Sequence, residues 1–132
     1  MDECVFCKLA KGGEHMIFEN RLCFVVLDKY PAERGHMLVI PKKHYQDMLE
    51  APDSVIAGVY ETAKKFGNMA KERLGADGVN IETNIGRIAG QFVMHFHVHV
   101  IPRYKKRGER VFDHEEELSE SDAKGLRKLL KD

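Results

Sequence analysis

No stretch of the 132 residues approaches the about 18 consecutive apolar residues that a membrane-spanning helix needs. Net charge is also missing. The 21 Lys and Arg are offset by 21 Asp and Glu, so global electrostatics point to neither nucleic acid nor a membrane surface. Cysteine is scarce, with Cys4, Cys7 and Cys23 making three, and the odd count argues against a disulfide framework. The opening residues Met1-Asp2-Glu3-Cys4 lack the basic-then-apolar pattern of a signal peptide, so the expected location is the cytoplasm. There is no internal repeat and no low-complexity linker before residue 103. No G-x-x-x-x-G-K-[ST] sequence occurs, and no acidic cluster suggests a Mg²⁺ cage. What is present, 43% apolar and 32% charged residues, is the composition of an ordinary globular chain about one domain long.

Residues 4–11 suit one short helix ending at Gly12-Gly13. Met16 to Glu19 and Leu22 to Asp28 read as strands joined by a tight turn at Asn20-Arg21. Phe24 to Leu27 form a continuous apolar run, as in a strand covered on both faces. His36 to Ile40 is a third strand, closed by Pro41. Asp53 to Leu74 is a long helix, because Val55, Val59, Ala63, Phe66, Ala70 and Leu74 recur at three- or four-residue steps. Asp53 is its expected N-cap and Gly75 its stop. Val79 to Ile85 and Phe92 to Ile101 complete five strands, with Gly86 to Gly90 as a loop. A charged tail follows, in which Ser119 or Ser121 caps a short helix carrying Leu126, Leu129 and Leu130. The predicted fold is α+β: a five-stranded antiparallel sheet, one long helix, and short N- and C-terminal helices.

The chemistry is concentrated in His95-Phe96-His97-Val98-His99. On a strand these three imidazoles share one face, about 6.7 Å apart in succession, while Phe96, Val98 and Val100 face the core. Two neighbours can converge on one metal ion, but three in a straight line cannot, so at least one imidazole is left for other work. Gly86 and Gly90 flank a loop feeding into this run, and glycines let backbone N–H groups approach an anion. Gln91 adds amide donors. A neutral imidazole is a competent nucleophile near pH 7, and a protonated neighbour can balance phosphate charge.

This run resembles the signature of the histidine triad (HIT) superfamily: H-x-H-x-H with Gly-Gln just upstream. Gly35 to His44, Leu27-Asp28 and Asn84 extend the resemblance over roughly residues 4–104. It implies a HIT domain over 1–104, with 105–132 as a charged tail packed on or extending it. It further implies a hydrolase or nucleotidyl transferase attacking the α-phosphate of a purine nucleotide conjugate, such as a dinucleoside polyphosphate or phosphoramidate. By the resemblance His97 is the nucleophile, forming a nucleotidyl-histidine; His99 contacts the phosphate or leaving group; and His36 supports them. Asp28 holds the ribose hydroxyls, while Asn84, Gly90 and Gln91 hold the phosphate. Phe6, Phe18, Phe24 and Leu27 are candidates for the base pocket, with plain core packing as the competing reading. The resemblance also implies a homodimer meeting through the long helix and the strand after it. One position departs from the family pattern: Phe92 stands where Ser or Thr is common. Without that hydroxyl, amine leaving groups are in doubt.

Cys4 and Cys7 have metal-ligand spacing but no preceding strand for a thioredoxin-like role. A closed tetrahedral zinc site needs two more ligands. His44 and His95 are the candidates, an assignment the resemblance supports because several bacterial branches use two cysteines and two histidines in this way. The expected cofactor is one structural zinc per chain. Cys23 reads as buried packing, and His15 and His114 as exposed. Two other functions compete with the enzyme: a purine-nucleotide sensor with weak or no turnover, which Phe92 motivates, and a metallohydrolase with zinc on two triad histidines. Soft thiolates at Cys4 and Cys7 argue against the latter, since they would compete for the ion.

Overall fold

The computed structural model describes residues 4–13, 15–105 and 116–131. His114 and the centre of the charged tail lie outside the described residues. Helix α1 spans Val5–Leu9, and strands β1 and β2 span Met16–Glu19 and Cys23–Leu27. Strand β3 covers Met37–Pro41, helix α2 Asp53–Leu74 and strand β4 Gly78–Glu82. Strand β5 covers Val98–Arg103 and helix α3 Glu120–Leu130. The strands form one antiparallel sheet in the order β1-β2-β3-β5-β4, so the histidine-bearing strand lies inside the sheet and β4 at its edge.

All five residues of β2 are buried, as its unbroken apolar run predicts, because both faces of the sheet are covered. Cys23, Val25 and Leu27 join the main core with Val39, Val98, Val100 and the buried face of α2, around Phe66. Phe24 and Val26 face the other way, into a smaller cluster with Phe6, Leu38 and Ile40. Helix α2 has the predicted bounds and ends on Gly75 in the left-handed region. Its N-cap is Pro52, not Asp53; Asp53 occupies the first helical turn, where its charge still suits the helix dipole. Gly58 is not merely a weak point of α2. A Cβ there would come within 2.4 Å of Leu22 Cδ2, so its bareness lets the helix close onto Leu22. In α3, Ser119 is the cap, its Oγ accepting from Asp122 N–H at 3.1 Å. Ala123, Leu126 and Leu130 reach the main core, while Leu129 stays outside.

The bounds of the last two strands also differ from expectation. The last strand begins at Val98, not Phe92, because the preceding backbone bonds elsewhere: His95 N–H to Val93 C=O and Phe96 N–H to Tyr45 C=O. The same strand runs through Pro102 rather than stopping before it. Its pairing with β3 ends at Val100, so among the described residues only β4 flanks Pro102, and its missing N–H is tolerated. Strand β4 ends at Glu82, and the Thr83 hydroxyl donates to His97 C=O at 2.7 Å where a ladder would otherwise continue.

Gly35 introduces β3 and sets the position of His36. Its φ is +85°, and a Cβ would meet Leu74 Cδ1 at 2.4 Å. Gly35→Ala is therefore expected to cost about 2 kcal/mol, combining left-handed strain with overpacking. Urea denaturation would show this as a lower midpoint with an unchanged slope.

Candidate active site and metal cluster

A cleft of about 1040 Å³ opens on the sheet face opposite α2, with His97 and His99 in its floor. The register explains the neighbours. Val26 pairs with Leu38, Leu38 with His99, and His99 with Glu82, so these four form one row across the sheet. Helix α1 covers one end of the row with Val5, Phe6 and Leu9.

Each imidazole has a distinct hydrogen-bond setting, and these fix the tautomers. His97 Nδ1 lies 2.7 Å from His95 C=O, which can only accept, so Nδ1 carries the proton and Nε2 keeps its lone pair. Burial pushes the His97 pKa down, which favours that neutral form. Phe6 packs edge-to-face on the same ring, with centroids 5.0 Å apart. In His36, Nδ1 accepts from Ala32 N–H at 2.9 Å, so its proton is on Nε2. That Nε2–H donates to His99 Nδ1 at 3.0 Å, and the His99 proton is accordingly on Nε2. Asp28 Oδ2 lies 3.4 Å from His36 Nε2, and Asp28 Oδ1 accepts from Tyr30 N–H. His36 is thus held neutral, with its one ring N–H directed at His99 Nδ1.

Asp28, Asn84 and Gly90 line the cleft, as do Phe6 and Leu27. Other sequence candidates lie elsewhere. Gln91 is 1% exposed, and its amide is spent inside the protein. Its Oε1 accepts from Gly86 N–H, while Nε2 donates to the carbonyls of Gln46 and Val93. It shapes the loop rather than offering donors to an anion. Phe18 packs against Phe66 beside α2, on the opposite face of the sheet. Phe24 is fully buried in the smaller cluster and does not reach the cleft. His15, expected to be exposed, is half-buried at the rim. The wall residues Val26 and Leu38 were missed; strand alternation marks their face only once their register with His99 is known. Cys23 is buried packing as expected, its Sγ 3.4 Å from Thr62 Oγ1, with burial pushing the thiol pKa up.

Cys4, Cys7, His44 and His95 converge, their ligand atoms all within 4.8 Å of one another. Cys4 Sγ is 3.4 Å from His95 Nδ1, and Cys7 Sγ is 3.4 Å from His44 Nδ1 and 3.6 Å from His95 Nδ1. Zinc bonds of about 2.3 Å to sulfur and about 2.0 Å to nitrogen place S and N about 3.5 Å apart at a tetrahedral angle, so the donor set and spacing fit zinc. His95 Nε2–H donates to Pro41 C=O at 2.8 Å, which leaves the Nδ1 lone pair toward the thiols. Burial pulls the His95 pKa to about 4, so it stays neutral, as a ligand must. Among the described residues no metal-suited group includes His97.

An antiparallel sheet with a neutral, backbone-oriented histidine just before β5, facing a mostly apolar cleft, defines a histidine-based α+β domain. The match to the HIT domain family runs over residues 11–106, and the chain belongs to that family. It is 36% identical over 107 residues to an adenylylsulfatase of Arabidopsis thaliana, a match covering 80% of this chain and 54% of that protein. It is 39% identical over 102 residues to an adenosine 5′-monophosphoramidase of Schizosaccharomyces pombe, covering 76% of this chain and 74% of that one. Among solved structures it resembles a Zn-bound histidine triad family protein of Mycobacterium smegmatis, with a TM-score of 0.82 and 36% identity over 98% of this chain and 94% of that one.

If the cluster holds zinc, the purified protein carries about one zinc ion per chain by elemental analysis. Replacing Cys4 and Cys7 together by Ser is expected to bring this to background. Full zinc retention in that variant would place the metal elsewhere.

Proposed function

We propose that this protein cleaves purine nucleotide conjugates at the α-phosphate through a covalent nucleotidyl-histidine on His97. The observation that carries this reading is the 2.7 Å bond from His97 Nδ1 to His95 C=O, which leaves the lone pair on Nε2. In the first step that lone pair attacks the α-phosphorus and the bond to the leaving group breaks. The His99 Nε2–H donates a hydrogen bond to the departing atom, which leaves as a phosphate or sulfate anion, or takes its proton from solvent when it is an amine. In the second step water attacks the phosphorus, the bond to His97 Nε2 breaks, the water proton passes to solvent, and a nucleoside monophosphate and neutral His97 are released. If another nucleophile replaces the water, the same intermediate gives transfer.

The remaining roles follow from position. Asp28, at the cleft edge, suits the ribose hydroxyls, and Asn84 and Gly90 suit the phosphate. The wall of Phe6, Leu27, Val26 and Leu38 suits a purine. Cys4, Cys7, His44 and His95 would hold a structural zinc that ties α1 to the active-site strand, and paired thiolates suit a reducing compartment such as the cytoplasm. The names of the Arabidopsis and Schizosaccharomyces relatives, an adenylylsulfatase and a phosphoramidase, support an adenylyl-transferring substrate class. Phe92 lines the cleft without a hydroxyl, and this favours a second reading, a nucleotide sensor with little turnover.

A panel of dinucleoside polyphosphates, phosphoramidates and adenylyl sulfate separates the two. His97→Ala is expected to lower kcat/KM on the best substrate by about 10⁴-fold or more, and quenched wild-type reactions should show the nucleotidyl adduct by intact mass. Unchanged turnover in His97→Ala would remove the nucleophile. Micromolar nucleotide binding without turnover on any compound would favour the sensor.

We also infer a homodimer. Among the described residues strand β4 is a sheet edge with no further strand beside it, and Ile81 on it is 41% exposed, which suits pairing with a second copy. Sedimentation equilibrium should give about twice the chain mass; a monomer at all concentrations would refute it.

A further inference from the structure

Phe92 is 85% exposed, an unusual state for a phenyl ring, yet its backbone surroundings are fixed. Gln91 before it is buried and bonded to Gly86, Gln46 and Val93. Val93 after it packs on the smaller apolar cluster. The chain on both sides of Phe92 is therefore anchored, and its ring is displayed at the cleft rather than left loose.

Its side of the cleft is also defined. Strand β5 lies between β3 and β4, with His99 paired to Leu38 on one side and to Glu82 on the other. The apolar wall comes from α1, β2 and β3. Asn84, Gly90 and Phe92 come from the connection between β4 and β5, which enters the cleft on the β4 side of His99 and returns at Val93 to the wall's own cluster. A nucleotide with its base against the wall and its α-phosphorus at His97 continues, beyond phosphorus, toward Phe92. A phenyl ring there exchanges no proton and makes no strong hydrogen bond; it offers a flat apolar face.

We propose that Phe92 is the specificity-determining residue for the departing half of the substrate, a stacking platform for a planar ring carried by the leaving group. This rests on the nucleotidyl-transfer reading of His97. Stacking of a base on an aromatic side chain is strong enough to discriminate and indifferent to which base is stacked.

The test uses two anhydrides with the same scissile bond, diadenosine triphosphate and the γ-methyl ester of ATP, each releasing AMP. Their kcat/KM ratio is measured for the wild type, Phe92→Ala and Phe92→Trp. The wild type is expected to favour the ring-bearing compound by about tenfold. Phe92→Ala should bring the ratio close to one, and Phe92→Trp should keep it. A wild-type ratio near one, or an unchanged ratio in Phe92→Ala, overturns the proposal. A change of sedimentation in Phe92→Ala also overturns it, because the ring would then be covered by a second copy. If the wild type cleaves neither compound, these anhydrides are not its substrates, and the His97 reading is decided by phosphoramidates and adenylyl sulfate. The platform is then read by calorimetry with methylene-bridged analogues of both compounds. A ring-dependent gain in affinity that Phe92→Ala loses supports the platform, and equal affinities for the two analogues refute it.

Discussion

The hydrogen bond from His97 Nδ1 to the carbonyl of His95 is the contact on which the site depends. It selects one tautomer and one ring orientation, and so decides which nitrogen meets the cleft. The bond exists because the backbone leaves extended geometry just before β5. His95 N–H turns back to Val93 C=O, and Phe96 N–H bonds Tyr45 C=O. Thr83 adds a hydroxyl donor to the His97 carbonyl. The irregular segment is therefore a built feature, with its polar groups satisfied by specific partners.

His95 works twice. Its carbonyl orients His97, and its ring joins Cys4, Cys7 and His44 while donating to Pro41. Helix α1 is equally shared. Cys4 caps it, its Sγ accepting from Cys7 N–H at 3.4 Å, and Phe6 on the same helix touches the rings of both His95 and His97. A helix of five residues has little stability of its own. Its place against the sheet comes from Cys4 and Cys7 in the cluster and from the apolar contacts of Phe6 between them.

Much of this was legible in the sequence, for identifiable reasons. Helix α2 could be bounded because its apolar spacing is strict and Gly75 ends it. The metal cluster could be named from two cysteines at close spacing and the histidines that the family resemblance supplied. The beginning of β5 could not, because the apolar run Phe92-Val93-Met94 and the alternation after it suit a strand, while the backbone hydrogen bonds go elsewhere. Phe18 was misplaced for a different reason: composition does not say which sheet face a half-buried aromatic occupies, and a register irregularity in β1 lies between Met16 and Phe18. Gln91 looked like an anion donor because a side-chain amide can serve a ligand or a loop equally well. Only its three internal partners distinguish the two.

Gln91 and Phe92 are adjacent, yet they stand under opposite constraints. The first is enclosed and fully bonded, so almost any replacement leaves buried polar groups without partners. The second projects from an anchored turn and touches little of the protein. Residue 92 is therefore a position at which the lineage of this protein can explore. A substitution there changes the surface displayed at the cleft, while the turn, the strand and His97 keep their geometry intact.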